Sequence, residues 1–301
     1  MKASYIESYK QGILEEKIHL AFSRLENCTI CPRQCRVNRL KGETGFCRAG
    51  FLPRVASFAP HFGEEKPLVG RHGSGTIFFS FCNLYCLYCQ NYSISHGAEG
   101  QEISFETLAR MMLQLQLLGC HNINLVTPTH FVPQILKALE IAVKLGLSLP
   151  LVYNTGGYDS VDTLRLLEGI VDIYMPDFKY TSCQAAQKYS QASDYPERAR
   201  QAIKEMHRQV GDLVINKEGI AEKGLLVRHL ILPENLAGSE KVMKFLAQEI
   251  SINTYINIMD QYHPWGDIPF DSPLQRRITS QEFRQALHLA RKYGLTRLDG
   301  L

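Results

Sequence analysis

Thr76-Ile77-Phe78-Phe79-Ser80-Phe81-Cys82-Asn83-Leu84-Tyr85-Cys86-Leu87-Tyr88-Cys89 carries an apolar run straight into three cysteines spaced x3 and x2. The run 76–81 is short and aromatic, which predicts a buried strand rather than a helix. The thiols then fall on the loop leaving the carboxyl end of that strand, where barrels and open α/β sheets build their sites. Three thiolates hold three irons of a [4Fe–4S] cube, whereas a cube held wholly by protein takes four. The pattern leaves one iron corner for a small molecule. A zinc knot of three cysteines plus one other ligand is the competing reading.

Beyond this stretch the strand-then-helix unit repeats. Apolar runs at 122–126, 149–153, 171–175, 225–232 and 254–259 read as five more strands. Ser104 and Gly119 bracket a helix with Phe105, Leu108, Met112 and Leu115 on one side. Helices are also expected over 131–144, 160–168 and 239–249, and Thr279-Ser280-Gln281-Glu282 is a capping box for the last one. Such alternation implies a parallel sheet with right-handed crossovers, and six units fall short of the eight of a closed barrel. The expected class is α/β: a partial (β/α)6 TIM-like barrel over 71–301, with a small N-terminal cysteine-rich metal-binding module over 1–70. The fourth unit is stretched over 181–223, and its charged segment 194–200 reads as a solvated helical face, with a substrate-facing role as the alternative.

In the N-terminal module, residues 5–25 have helical spacing. Cys28, Cys31, Cys35 and Cys47 follow as C-x2-C-x3-C-x11-C, short bites that suit thiolate ligation of zinc or of a second iron–sulfur cluster. Arg33, Arg36, Arg39, Lys41 and Arg48 interleave with them, either offsetting thiolate charge or facing water. Residues 59–68 contain Pro and Gly and read as a solvated connector, with a site lined by His61, Glu64 and Glu65 as the alternative.

With 301 residues the chain buries roughly three quarters of its unfolded surface, so it needs no disulfides to hold a core. A net charge of +3 gives no reason to expect nucleic acid or a membrane surface, and no apolar stretch approaches the ~20 residues of a span. The start lacks a signal-peptide core, and nine cysteines without an export signal argue for reduced thiols and metal sites in the cytoplasm. Cys120 and Cys183 stand alone and read as small core residues.

Polar residues follow every expected strand: Thr127-Pro128-Thr129-His130, Asn154-Thr155-Gly156-Gly157-Tyr158, Asp177-Phe178-Lys179, Arg228-His229 and Gln261-Tyr262-His263. The three cysteines with Tyr88 before the last one resemble the hallmark of the radical S-adenosylmethionine (SAM) superfamily. The resemblance implies a [4Fe–4S] cluster on Cys82, Cys86 and Cys89, SAM on the open iron, and one-electron cleavage to a 5′-deoxyadenosyl radical. Lys179 and Arg228 suit the SAM carboxylate, Asn154 and Asp177 its ammonium or ribose, and Tyr88 its adenine.

The whole chain is most similar to the pyruvate formate-lyase activating enzyme group, in the branch with an added N-terminal cysteine module. The matching positions are Asn154-Thr155-Gly156-Gly157, Met175-Pro176-Asp177-Phe178-Lys179, Arg228-His229-Leu230-Ile231-Leu232-Pro233 and Gln261-Tyr262-His263. By that resemblance Lys179, Arg228 and His263 contact SAM, and Asn154, Thr155, Met175 and Asp177 surround its methionine end, with Thr129 nearby. There the group also holds a monovalent cation. Thr127-Pro128-Thr129 replaces the usual Gly-Gly-Glu, and Asn154 replaces an acidic residue.

The leading function is hydrogen abstraction from a partner, a glycyl-radical enzyme being the group's best-known target. A peptide, an RNA base or a small metabolite is the alternative substrate. An electron donor such as flavodoxin or ferredoxin is the expected partner. A reading of another class is an iron–sulfur electron carrier or metal-binding module without SAM chemistry. A zinc-only barrel hydrolase is a third, and it lacks the expected His and carboxylate ligands.

Overall fold

The structure is a computed structural model that describes residues 3–300. Nine strands form its sheet: β1 (Arg54–His61), β2 (Ser74–Phe79), β3 (Gln101–Glu102), β4 (Ile123–Val126), β5 (Leu151–Thr155), β6 (Ile173–Pro176), β7 (Val214–Ile215), β8 (Ala221–Leu230) and β9 (Tyr255–Met259). Strands β2, β4, β5, β6, β8 and β9 lie side by side in chain order, and every pairing among them is parallel. Helices fill the crossovers, among them Phe105–Leu117, Val132–Lys144, Val161–Leu166, Tyr195–Val210 and Ser239–Phe245. Among the described residues β9 pairs with β8 and not with β2, so the sheet is an open, partial (β/α)6 barrel.

Caps fall where the side chains dictate. The Ser104 hydroxyl accepts from Thr107 N, and Thr279 and Glu282 close a reciprocal capping box on helix Ser280–Lys292. Elsewhere local chemistry overrides the periodicity. The expected helix over 5–25 is two helices, Ser4–Lys10 and Ile13–Ser23, because Gly12 between them takes a left-handed φ of 77°. The expected connector 59–68 is largely regular. Residues 59–61 end β1, which pairs antiparallel with β2, and Lys66–Val69 is a helical turn. Pro60 is tolerated there because β3 pairs with β1 only at Arg54 and Val55, leaving the Pro60 edge free. Cys183 is exposed at the start of helix Cys183–Ser190 rather than in the core, while Cys120 is buried.

One large hydrophobic core lies between sheet and helices and takes in Tyr5, Leu14 and Ile18 from the N-terminus together with Ile77, Leu108 and Leu136. It runs across the expected domain boundary at residue 70. Polar bonds do the same: Tyr5 OH donates to Leu149 O at 2.7 Å, and the Ser4 hydroxyl to Asp172 at 2.7 Å. A smaller cluster of Leu68, Val152, Ile173, Met175 and Leu226 fills the inside of the barrel. Alternation along the strands then puts Asn154, Asp177 and Arg228, each two residues on, into the barrel interior above that apolar layer. No helix among the described residues is long and apolar enough to cross a membrane.

Candidate active site at the carboxyl ends of the strands

After β2 the chain turns at Phe81, which sits at a left-handed φ of 70°, uncommon for a bulky residue. The cysteine loop follows. Its sulfurs are supported from three directions: Leu84 N points to Cys82 Sγ at 3.4 Å, Ser190 Oγ donates to Cys86 Sγ at 2.9 Å, and Ser95 Oγ donates to Cys89 Sγ at 3.2 Å. Burial pushes the Cys82 thiol up, and Cys86 and Cys89 raise it further. Burial also pushes Cys86 up, opposed by the Lys179 ammonium. Such thiols are poor anions until something positive joins them, and an iron cluster supplies that charge. Among the described residues no three His, Cys, Asp or Glu side chains close round a single ion. Thiolates of a cube each take a different iron, so they need not converge in that way.

Beside the loop stands a charged group inside the barrel. Arg228 Nε donates to Asp177 Oδ1 at 2.8 Å and its Nη2 to Asn154 Oδ1 at 2.7 Å, while Lys179 Nζ meets Asp177 Oδ2 at 2.6 Å. Burial would raise Asp177, but Arg228 and Lys179 outweigh it and hold the carboxyl below its usual range. Burial would lower Lys179, but Asp177 and Cys86 outweigh it and keep the ammonium charged. Four of the residues expected to meet SAM are therefore in one hydrogen-bonded set. Asp177 pre-positions both cations, and both remain able to turn to an incoming carboxylate.

The other expected contacts are elsewhere. Thr155 is one residue from Asn154 and so lies on the opposite face of β5. It donates to Asp159 Oδ2 at 2.7 Å, and Thr129 Oγ1 and Tyr153 OH donate to Asp159 Oδ1 at 2.7 and 2.9 Å. Thr129 and Thr155 are thus committed to a buried carboxylate on the helix side of the sheet. Tyr88 is 4% exposed, its hydroxyl accepting from Tyr180 OH at 2.6 Å and its ring against Tyr262. It is part of an aromatic wall rather than an open surface for adenine. His263 stands apart, near Gln261 O and Trp265.

Some residues read from the pattern as solvated are not. Glu65 is buried and Glu64 half-buried: Glu64 Oε2 lies 3.8 Å from Arg228 Nη1, and Glu65 Oε1 accepts from Asn257 Nδ2 at 2.9 Å. Burial pushes Glu65 up, opposed by Arg228. The Glu-Lys-Pro-Leu order of residues 65–68 carried the signal, since Pro at the start of a helical turn precedes the Leu68 that plugs the barrel. Tyr195, within the segment expected to be solvated, is buried and receives Lys179 N while donating to Asp177 O. His229 is a satisfied interior histidine, bonded to Phe178 O and Ser239 Oγ and pushed down to about 4 by burial.

A sequence profile for the radical SAM superfamily matches residues 76–216. An uncharacterized protein, MJ0674, of Methanocaldococcus jannaschii is 32% identical over 299 residues, covering 96% of this chain and 82% of that protein. Two solved structures resemble it more distantly. HydG, a maturase of the [FeFe]-hydrogenase, overlaps with a TM-score of 0.49 at 13% identity, over 72% of this chain and 48% of its own. A radical SAM methyltransferase from Sphaerobacter thermophilus overlaps with a TM-score of 0.49 at 12% identity, over 73% and 64%. The chain spans less than two thirds of the length of either structure.

Proposed function

We propose, from the match of the radical SAM profile to residues 76–216, that the chain is a radical SAM enzyme of the pyruvate formate-lyase activating type, acting on a protein partner. That reading implies a [4Fe–4S] cluster and SAM. When bound, the cluster supplies one electron to the sulfonium and so a carbon radical able to take a hydrogen atom from the partner.

The chain's own residues fit those groups. Cys82, Cys86 and Cys89 offer three sulfurs on one loop, Cys86 buried and the other two half-buried, one short of a closed site. Lys179 and Arg228, held by Asp177, face the same loop through the Lys179–Cys86 interaction. That pairing of a three-thiol loop with a poised cation pair is the observation that carries the reading. The carboxylate of SAM would take up Lys179 and Arg228, and the Asn154 carbonyl oxygen would accept from its ammonium. The activating subtype is supported by the motif matches at Asn154–Gly157, Met175–Lys179 and Arg228–Pro233. Reduced thiols suit the cytoplasm, with a flavodoxin- or ferredoxin-like protein as electron donor.

The test is anaerobic reconstitution, reduction with dithionite and assay for 5′-deoxyadenosine. Wild type is expected to form it, and Cys86→Ala to lose the activity by about a thousandfold or more, removing an iron ligand outright. Equal yields from both proteins would overturn SAM cleavage at this loop. Partner activation is tested separately by incubation with a candidate glycyl-radical enzyme. A glycyl-radical signal in electron paramagnetic resonance supports the subtype, and SAM cleavage without it in every such partner offered argues for another substrate.

A further inference from the structure

The four N-terminal cysteines take no part in the strand-end set, yet the chain builds them inward. Cys28, Cys31 and Cys47 are buried and Cys35 is partly so. All four line one small cavity, with Arg39 and His130 on its wall. The backbone is bent to bring them together. Gln34, Arg36 and Arg48 take φ of 42°, 58° and 58°, left-handed conformations that cost about 1 kcal/mol each outside glycine.

Two neighbours lack the partners their chemistry demands. The Arg39 guanidinium is 1% exposed, and its bonds go to Gly50 O at 3.1 and 2.7 Å and His130 O at 2.8 Å. Among the described residues no carboxylate pairs with it. A buried cation without a counter-charge costs several kcal/mol. Arg39 shares the cavity with all four cysteines and acts electrostatically on both Cys47 and His130. His130 is equally buried: its Nε2 bonds to Ser80 O at 2.8 Å, and its Nδ1 has no partner. A bare buried nitrogen costs about 1–3 kcal/mol.

We propose that Cys28, Cys31, Cys35 and Cys47 hold a second, thiophilic metal centre whose thiolate charge is the counter-charge of Arg39. An iron–sulfur cluster with four thiolates, each on a different iron, and a zinc ion with four thiolates, round which the sulfurs would first have to close, are both net negative, so either satisfies the buried guanidinium. The centre is packed against the SAM-side loop. Arg33 Nε donates to Asn83 O at 2.9 Å, Arg48 Nη2 donates to His96 O at 2.7 Å, and His130 reaches the Ser80 carbonyl two residues before Cys82.

The test uses the full chain with Cys82, Cys86 and Cys89 all replaced by Ala, so its outcome is blind to SAM chemistry at that loop. Purified anaerobically, this variant is expected to keep about one zinc per chain without acid-labile sulfide, or else iron and sulfide in roughly equal amounts. Adding Cys31→Ser and Cys35→Ser removes that metal. A variant free of both metals before those two changes overturns the proposal. Should the triple variant not fold, the wild-type chain gives the same answer, since zinc, or iron beyond a single cluster, must be present. Arg39→Met is expected to weaken metal retention against a chelator by about tenfold or more, with Arg39→Lys recovering most of it. Equal retention in Arg39→Met and wild type overturns the counter-charge role.

Discussion

The two cysteine loops touch each other but balance their charge differently. The three-cysteine loop draws its cation from across the barrel: Lys179 on the strand-end segment acts on Cys86 and is itself held by Asp177. The four-cysteine loop carries its own, because Arg39 lies between Cys35 and Cys47 in the chain and is buried beside them. A borrowed cation is exchangeable, since an incoming carboxylate can take Lys179 and Arg228 from Asp177. A cation sealed within its own loop is not. The contrast assigns ligand turnover to the first region and a fixed site to the second.

Asp177→Asn breaks that contrast most severely, because it leaves Lys179 and Arg228 without their shared carboxylate. Removing one partner of a buried ion pair costs about 3–5 kcal/mol, read as a fall in urea-unfolding stability. The sign with pH follows from the depressed carboxyl of Asp177. Its stabilisation is complete at neutral pH and is lost as pH falls below the unfolded carboxyl range of about 4. The gap between wild type and variant should therefore close under acid. A gap unchanged down to pH 3 would mean that the cations find other partners, and metal lost from the four-cysteine loop as well would mean that the two charge balances are one.

Gly45→Ala presses on the other loop alone. A Cβ there would lie 2.6 Å from Cys35 Cβ and 2.7 Å from its Sγ, closer than contact allows. Overpacking of this kind costs about 1–3 kcal/mol. Metal analysis should show the four-cysteine loop depleted and iron at the three-cysteine loop retained. Loss of both in parallel would dissolve the distinction between a sealed and a borrowed charge balance.

What the sequence disclosed follows the same line. The barrel was legible because strand runs and helix caps are local signals: Ser104, Thr279 and Glu282 cap where their chemistry requires. Asn154, Asp177, Lys179 and Arg228 were legible as polar residues at strand ends, and they meet. Thr155 lies apart from Asn154 because a motif names neighbours along the chain, whereas a strand sends neighbours to opposite faces. Arg39 could not be told from Arg33, Arg36 and Arg48, since burial is a tertiary property that four interleaved arginines share no pattern to reveal. The burial of Glu65 was hidden for a related reason: its partners Asn257 and Arg228 come from strands far along the chain. Ser190 and Ser95 support sulfurs from 104 and 6 residues away, and no spacing rule connects such pairs.

Those two serines offer the finest test of how the three-cysteine loop is tuned. A hydroxyl donated to a thiolate favours the more negative, reduced state of a cluster held there, so its loss should lower the midpoint potential. A net hydrogen bond is worth about 1 kcal/mol, or about 40 mV for a one-electron couple. Ser190 should matter more than Ser95. Both hydroxyls are shared, Ser190 with Tyr180 OH at 2.9 Å and Ser95 with Asn91 O and His96 Nδ1, but Ser190 is fully buried and lies 2.9 Å from Cys86 Sγ, whereas Ser95 lies 3.2 Å from Cys89 Sγ. Redox titration followed by electron paramagnetic resonance should place Ser190→Ala tens of millivolts below wild type and Ser95→Ala between the two. Identical potentials in all three would mean that Lys179 alone sets the electrostatics at Cys86, and that the borrowed cation outweighs every local donor.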